Sequence, residues 1–180
     1  MSLQLPQDST RETPLDDDTL AFAQKVFDLA RNGDAETLGA MLEQGLPANL
    51  RNHKGDSLLM LASYHGHLEA VQVLLAHKAD PNMRNDNGQT PLAGAAFKGN
   101  LAMLQVLLEQ GADVEGAMPD GKTALMMAAM FDHAAVVDLL LKHGANPSSQ
   151  DSNGLTPLAA AQRMGAKRAA ERLQPSRCRG

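Results

Sequence analysis

The side chains here best suited to acid–base, nucleophilic or metal chemistry are six histidines and one cysteine, Cys178. His65 and His67 flank a glycine, while His133 and His143 stand in phase with His67 and His77. Zinc needs three or four ligands that converge on one point. No cysteine stands near any of these histidines and the carboxylates are scattered, so their spacing argues for no metal site. A cysteine nucleophile needs a base held beside it, and a terminal segment such as the one carrying Cys178 holds nothing in place. The sequence also lacks a phosphate-cradling G-x-x-x-x-G-K loop, a G-x-G-x-x-G turn, a G-x-S-x-G elbow and an H-E-x-x-H helix. No catalytic residue, cofactor site or metal site is predicted.

The elements that would position any site follow from a different pattern. Gly55, Gly88, Gly121 and Gly154 stand at one constant interval and open the phrases GDSLLMLAS, GQTPLAGAA, GKTALMMAA and GLTPLAAAQ. Gly33, Gly66, Gly99 and Gly165 keep the same beat, with Asp132 in the one slot left over. The pairs Leu74-Leu75, Leu107-Leu108 and Leu140-Leu141 follow it too, preceded in phase by Met41-Leu42. Behind them come Gly45, Gly111 and Gly144, with Lys78 as the odd member. A fixed period of this length marks a stack of identical supersecondary units. Each unit reads as a polar turn, a short apolar helix, a glycine break, a second helix and a glycine stop.

Local chemistry supports that division. Thr90 and Thr156 are suited to N-cap a first helix, and Pro91 and Pro157 follow at its first turn, where a missing N–H costs nothing. Gly99 ends the helix by taking the left-handed conformation. Leu101, Leu104, Leu107 and Leu108 form an apolar stripe over a second helix, Leu101 to Glu109. Asp86-Asn87-Gly88 supplies a tight turn between units. At the start of the chain a helix pair is expected at Phe22 to Arg31 and Ala35 to Gln44, with Asp28, Arg31, Glu36 and Glu43 on its outer face. At the other end the helix KRAAERL is heavily charged, as an end unit that must wet one flank requires.

The pattern resembles the ankyrin repeat, G-x-T-P-L-x-x-A-A, a glycine, then L-L-x-x-G-A-D-x-N. The best match is GQTPLAGAAFKGNLAMLQVLLEQGADVEGA, Gly88 to Ala117, and the resemblance extends over about five units. Where the family usually has a turn histidine after T-P-L, this sequence has Met60, Ala93, Met126 and Ala159. The slot of His67 and His133 is one where the family commonly places histidine, at the start of the second helix. The resemblance implies an all-α solenoid of helix–turn–helix units with hairpin-like loops, capped at both ends.

With 180 residues the chain suits one domain with short tails. The expected division is an acidic N-terminal tail at 1–17, repeats at about 18–51, 52–84, 85–117, 118–150 and 151–174, and a basic C-terminal tail at 175–180. Apolar residues make up 43% of the chain but aromatics only 3%, so the packing must rest on Leu, Ala and Met. The net charge of −5 is unevenly spread. Residues 1–18 carry five acids against Arg11, and residues 163–180 carry six bases against Glu171. The basic end is short and without interleaved aromatics, so nucleic acid is not an expected partner. No apolar run approaches the ~20 residues that span a bilayer, and the N-terminus has neither the basic start nor the apolar core of a secretory signal. With one cysteine, the expectation is a cytoplasmic, reducing compartment.

A binding surface is sought where the repeat leaves the residue free. The turn tips offer His53, Lys54, Asp86, Asn87, Asp120 and Lys122. The ends of the first helices offer Tyr64, Phe97, Met130 and Arg163, followed by His65, Lys98, Phe131 and Met164. Three of the five Phe and Tyr residues fall in these two slots. The resemblance implies that these positions face a groove and contact partners, and stacking would align Tyr64, Phe97 and Met130 as a ladder. The expected function is a non-enzymatic, monomeric module that binds a protein partner as adaptor, inhibitor or stabiliser. The alternatives are a regulator of a transcription or stress-response factor, or an accessory subunit of an enzyme. Packing of the same aromatics against the next unit is the competing role for them.

Overall fold

The computed structural model describes residues 16–175. Most of the two expected tails, with Cys178, lies outside the described residues. Within them the chain forms ten helices and no strand: α1 (Asp17–Asn32), α2 (Ala35–Glu43), α3 (Leu58–Tyr64), α4 (Leu68–Ala76), α5 (Pro91–Lys98), α6 (Leu101–Glu109), α7 (Ala124–Met130), α8 (Ala134–Lys142), α9 (Pro157–Met164) and α10 (Lys167–Leu173). The odd-numbered helices pack in sequence, α1 on α3 through to α7 on α9, and form an inner layer. The even-numbered helices form the outer layer in the same order, α2 on α4 through to α8 on α10. Helix contacts run to the partner within a unit or to the adjacent unit, the one-dimensional architecture of a solenoid.

The caps explain where the helices begin and end. Ser57, Thr90, Thr123 and Thr156 each sit at the N-cap in extended backbone and accept the amide three residues on. Pro91 and Pro157 occupy the first turns. Gly33, Gly99 and Gly165 close their helices with φ of 77°, 69° and 71°. Two expectations need correction. Helix α1 begins at Asp17, capped by Asp16, and so starts well before the expected Phe22. In α6 the buried stripe is Met103, Leu104 and Leu107, whereas Leu101 is 44% exposed. It occupies the first helical position, where the neighbouring outer helix no longer covers it.

The core follows the stack. Leu58, Leu59, Leu92, Leu104, Leu125 and Leu140 are essentially inaccessible, and the alanines Ala62, Ala95, Ala96, Ala128 and Ala129 separate the inner helices. Each such leucine removed from water contributes roughly 1.5–3 kcal/mol. The charged end helix α10 buries only Ala169, Ala170 and Leu173, and keeps Lys167, Arg168, Glu171 and Arg172 outside.

Polar ties repeat with the period. Arg51 donates to the carbonyls of Gly55 in its own turn and of Arg84 in the next unit, both at 3.0 Å, and Arg84 does the same to Gly88 and Ala117. The side chains of Asn49, Asn82 and Glu115 accept the amides of Asp80, Asp113 and Asn146, one unit along, at 2.7–2.8 Å. His67 and His133 donate from Nε2 to the carbonyls of Arg31 and Phe97 at 2.9 and 3.0 Å. A Cβ at Gly33 or Gly99 would lie about 2.5 Å from these imidazoles, so the glycine and the histidine are one device. The side chain of His67 or His133 caps no helix; each bolts its unit to the previous one.

Among the described residues, two carry a left-handed backbone without being glycine: Lys78 at φ 65° and Asp132 at φ 59°. They stand in slots where the neighbouring units have glycine, Gly45 and Gly111 for Lys78, Gly99 and Gly165 for Asp132. Asp132 has compensation. Its carboxylate accepts the Ala169 amide at 2.8 Å and the Arg168 guanidinium at 2.9 Å, supplying the N-cap acceptor that Ala166 lacks at the start of α10. Among the described residues no such contact holds Lys78. We expect Lys78→Gly to stabilise the protein by about 0.5–1 kcal/mol, the relief of left-handed strain less the glycine entropy, seen as a rise of a few degrees in Tm. Asp132→Gly should lower Tm despite the same relief. The Ala169 amide and then Arg168 hold the Asp132 carboxyl below its ordinary value. A depressed carboxylate stabilises the fold above the unfolded pKa, about 3.9, and loses that effect as pH falls through the folded pKa. The protection factors of the α10 amides, corrected for the intrinsic exchange rate at each pH, should therefore fall below about pH 4, and earlier in the titration than those of α5.

Candidate partner-binding surface

The turns between units project beside the inner helices. In three of them an Asn or Asp one position before the tip folds its side chain over the loop. Asn52 Oδ1 accepts the amides of Lys54 and Asp56, Asn85 Oδ1 those of Asn87 and Gln89, and Asp151 Oδ1 those of Asn153 and Leu155, all at 2.9–3.1 Å. The fourth turn has Met118 in this slot, and there Asp120 accepts the Lys122 amide instead at 3.1 Å. Successive tips are linked through backbone, Asp86 N–H to the Lys54 carbonyl at 3.1 Å and Ser152 N–H to the Asp120 carbonyl at 2.8 Å. Pro119 has no N–H to give at the intervening step. These Asx turns take the place of the histidine that the repeat pattern puts after T-P-L. Met60, Ala93 and Met126 are instead buried and donate only backbone amides, to Ser57, Thr90 and Thr123.

Two hollows open along the inner face. The larger, about 420 Å³, lies over units two to four and is walled by Tyr64, Phe97, Met60, Met118 and Met127, with Asp56, Asn85 and Gln89 on the turn side. The second, about 260 Å³, lies between the last two units and is walled by Lys122, Met126, Met130, Arg163 and Met164. Six of the ten methionines border one hollow or the other. The thioether is polarisable and its unbranched chain repacks at low cost, which suits an adaptable surface.

The residues predicted from sequence divide between these places. Tyr64 and Phe97 share the larger hollow, while Lys122, Met130 and Arg163 share the smaller. Both hollows are shallow and lined from more than one unit, so each needs the stack to exist. His53, Lys54, Asp86 and Asn87 sit at the turn tips and border neither. Asp86 pairs with Arg51 at 3.2 Å. Asp120 pairs with Lys122, whose ammonium holds the carboxyl below its usual range. Such exposed pairs contribute little to stability.

The helix ends are ordered differently from the expected ladder. Phe97 meets Phe131 edge to face, with centroids 4.7 Å apart, and the Lys98 ammonium lies 4.5 Å from the centre of the Tyr64 ring. Contacts thus run from one slot to the adjacent slot of the next unit. Tyr64 also stands edge to face with His65 at 5.6 Å. Partial burial, and then the charges of His67, Arg31 and Lys98, hold the His65 ring below the ordinary histidine range. It therefore offers one donor and one acceptor at neutral pH although its surface is largely open. Tyr64 and Phe131 remain 44% and 41% exposed, and Met164 54%, whereas Phe97 is half-buried.

Sequence reasoning missed several contributors: Met60, Met118 and Met127 in the walls, Gly94 in the floor, and the Arg51 and Arg84 ties. The two arginines do keep the interval of the repeat, a signal that was available. The wall residues Met60, Gly94, Met118 and Met127 also sit at repeat positions, but their residue types differ from unit to unit, so the period alone did not mark them.

A family model described as ankyrin repeats (3 copies) matches residues 26–118 and again 115–178. The chain belongs to the ankyrin repeat family. A Pseudomonas aeruginosa protein that carries an ankyrin-repeat name is 65% identical over 58 residues, 32% of this chain. The match spans 34% of that relative's length, well under two thirds. Ankyrin repeats generally serve as protein–protein interaction modules, and their members are typically non-enzymatic. Among the described residues no helix is long and apolar enough to cross a membrane.

The ankyrin stack does not depend equally on the groove aromatics. Tyr64→Ala should cost under about 1 kcal/mol, as an exposed position does. Phe97→Ala should cost about 1–2 kcal/mol through lost burial and its edge-to-face contact with Phe131. Urea denaturation of the two variants checks the order.

Proposed function

We propose that this ankyrin repeat protein is a non-enzymatic binding module that grips one protein partner along its inner face, working as a monomer in the cytoplasm. The observation that carries this reading is the run of open apolar side chains along the inner layer. Tyr64, Phe131 and Met164 remain exposed beside two methionine-walled hollows, in a chain with few aromatics to spare. Aromatics and methionine are enriched at the centres of protein interfaces. The polar, self-paired turn tips at Lys54, Asp86 and Asp120 form a rim of the kind that surrounds such a centre. The solenoid supplies rigidity, so binding orders little of the module itself.

Function follows from geometry here in a simple way. The stack spaces equivalent positions regularly, and a partner surface that meets one hollow is carried onto the next. Adaptor, inhibitor and stabiliser are all served by the same grip.

Capture of a partner from lysate by the full chain tests the reading. The Tyr64→Ala/Phe97→Ala double variant should lose that partner while keeping its helical circular dichroism. Leu101→Ala, an exposed leucine on the outer layer, should keep it. Retention by the double variant would move the binding surface away from the inner face.

A further inference from the structure

The larger hollow has one charged wall residue, Asp56. Its carboxylate accepts from two neutral amides, Asn85 Nδ2 at 2.9 Å and Asn52 Nδ2 at 3.3 Å. Among the described residues no lysine, arginine or histidine pairs with it. The neighbouring turn acids have found cations, Asp86 with Arg51 and Asp120 with Lys122. Asp56 is thus a half-buried anion at the edge of an apolar cavity, held in place by neutral donors and lacking a counter-charge. An anion so placed, partly screened from water and without a cationic side chain paired to it, attracts a cation.

The rest of the cavity defines what must carry that cation. Asp56 shares the lining with the rings of Tyr64 and Phe97 and the side chains of Met60 and Met127. Gly94 opens the floor. It lies inside α5 with ordinary helical backbone, in a slot where other units have Leu61, Met127 and Ala160. A glycine there weakens the helix relative to alanine. A Cβ would meet only Tyr64 Cδ2 at 3.7 Å, an ordinary contact, so the fold does not require glycine. Its effect is depth beneath Tyr64. Lys98 lies over the Tyr64 ring but is not part of the cavity wall.

We infer that this hollow receives one arginine side chain from the protein partner. The inference rests on the reading of the inner face as the binding surface and adds the chemistry of the residue that enters it. An arginine has an aliphatic stem that packs on methionine and a planar head that stacks on aromatic rings. Its guanidinium fork matches the two oxygens of a carboxylate, each of which here has one lone pair free. Lysine brings the stem and the charge but neither the plane nor the fork. An apolar residue would leave Asp56 desolvated and unpaired.

The test uses the full chain labelled with carbon-13 at the methionine methyls, titrated with n-butylguanidinium, n-butylammonium and 1-pentanol. The expected result is saturable shifts at Met60 and Met127 with butylguanidinium, several-fold weaker binding of butylammonium, and no saturation with pentanol. Asp56→Asn, which keeps the shape and an acceptor for Asn85, should weaken butylguanidinium about tenfold. Gly94→Ala should weaken it as well while leaving the Tm equal or higher. Equal binding by Asp56→Asn, butylammonium binding as tightly as butylguanidinium, or pentanol competing with it would overturn the inference. If no fragment binds but the Tyr64/Phe97 double variant loses its partner, the arginine assignment falls and the inner-face reading stands. If the fragment binds and that variant keeps its partner, the inner-face reading falls, and the assignment of the arginine to that partner falls with it.

Discussion

Burial of one unit's apolar flank against the next is the interaction on which everything else in this molecule depends. A single pair of the short helices is too brief to persist alone, since isolated helices of that length are marginal in water. Leu58, Leu92 and Leu125 are inaccessible within one core that runs through successive units. The alanines of the inner helices matter for the same reason. A larger side chain at Ala95 or Ala128 would hold successive inner helices apart and expose the leucines beside them.

The polar contacts take their meaning from that stack. Arg51 and Arg84, Asn49 and Asn82, and the two helix-start histidines His67 and His133 all reach a backbone group in the adjacent unit. None would have that partner in a lone unit, so they make register specific where apolar contact alone would tolerate slippage. This resolves much of the histidine question. His67, His77 and His133 spend a ring nitrogen on a carbonyl of the framework, a structural role that accounts for their recurrence with the repeat. The break in the turn ladder at Pro119 falls at the rim of the larger hollow, next to Met118, where an apolar residue replaces the Asn or Asp of the other turns.

The repeat is irregular where the proposed arginine pocket lies. Gly94, Met118 and Asp56 each depart from their counterparts in other units, and the three meet in one cavity. A perfectly regular stack would present the same shallow groove at each step and discriminate poorly among partners. Discrimination needs local differences on a rigid backbone, and the framework ties provide that rigidity.

The constant period, the caps at Thr90 and Thr156, and the stop at Gly99 were legible in the chain itself, because caps and breaks depend on a residue and its near neighbours in sequence. So were Tyr64, Phe97, Met130 and Arg163 as positions that the repeat leaves free. What only the tertiary structure decided is which of these residues meet. Tyr64 touches Lys98, Phe97 touches Phe131, and Asp132 caps a helix in the following unit. Those pairings depend on packing across units, which no single repeat contains. The helical start at Asp17, by contrast, rests on the local cap that Asp16 makes to the Thr19 amide.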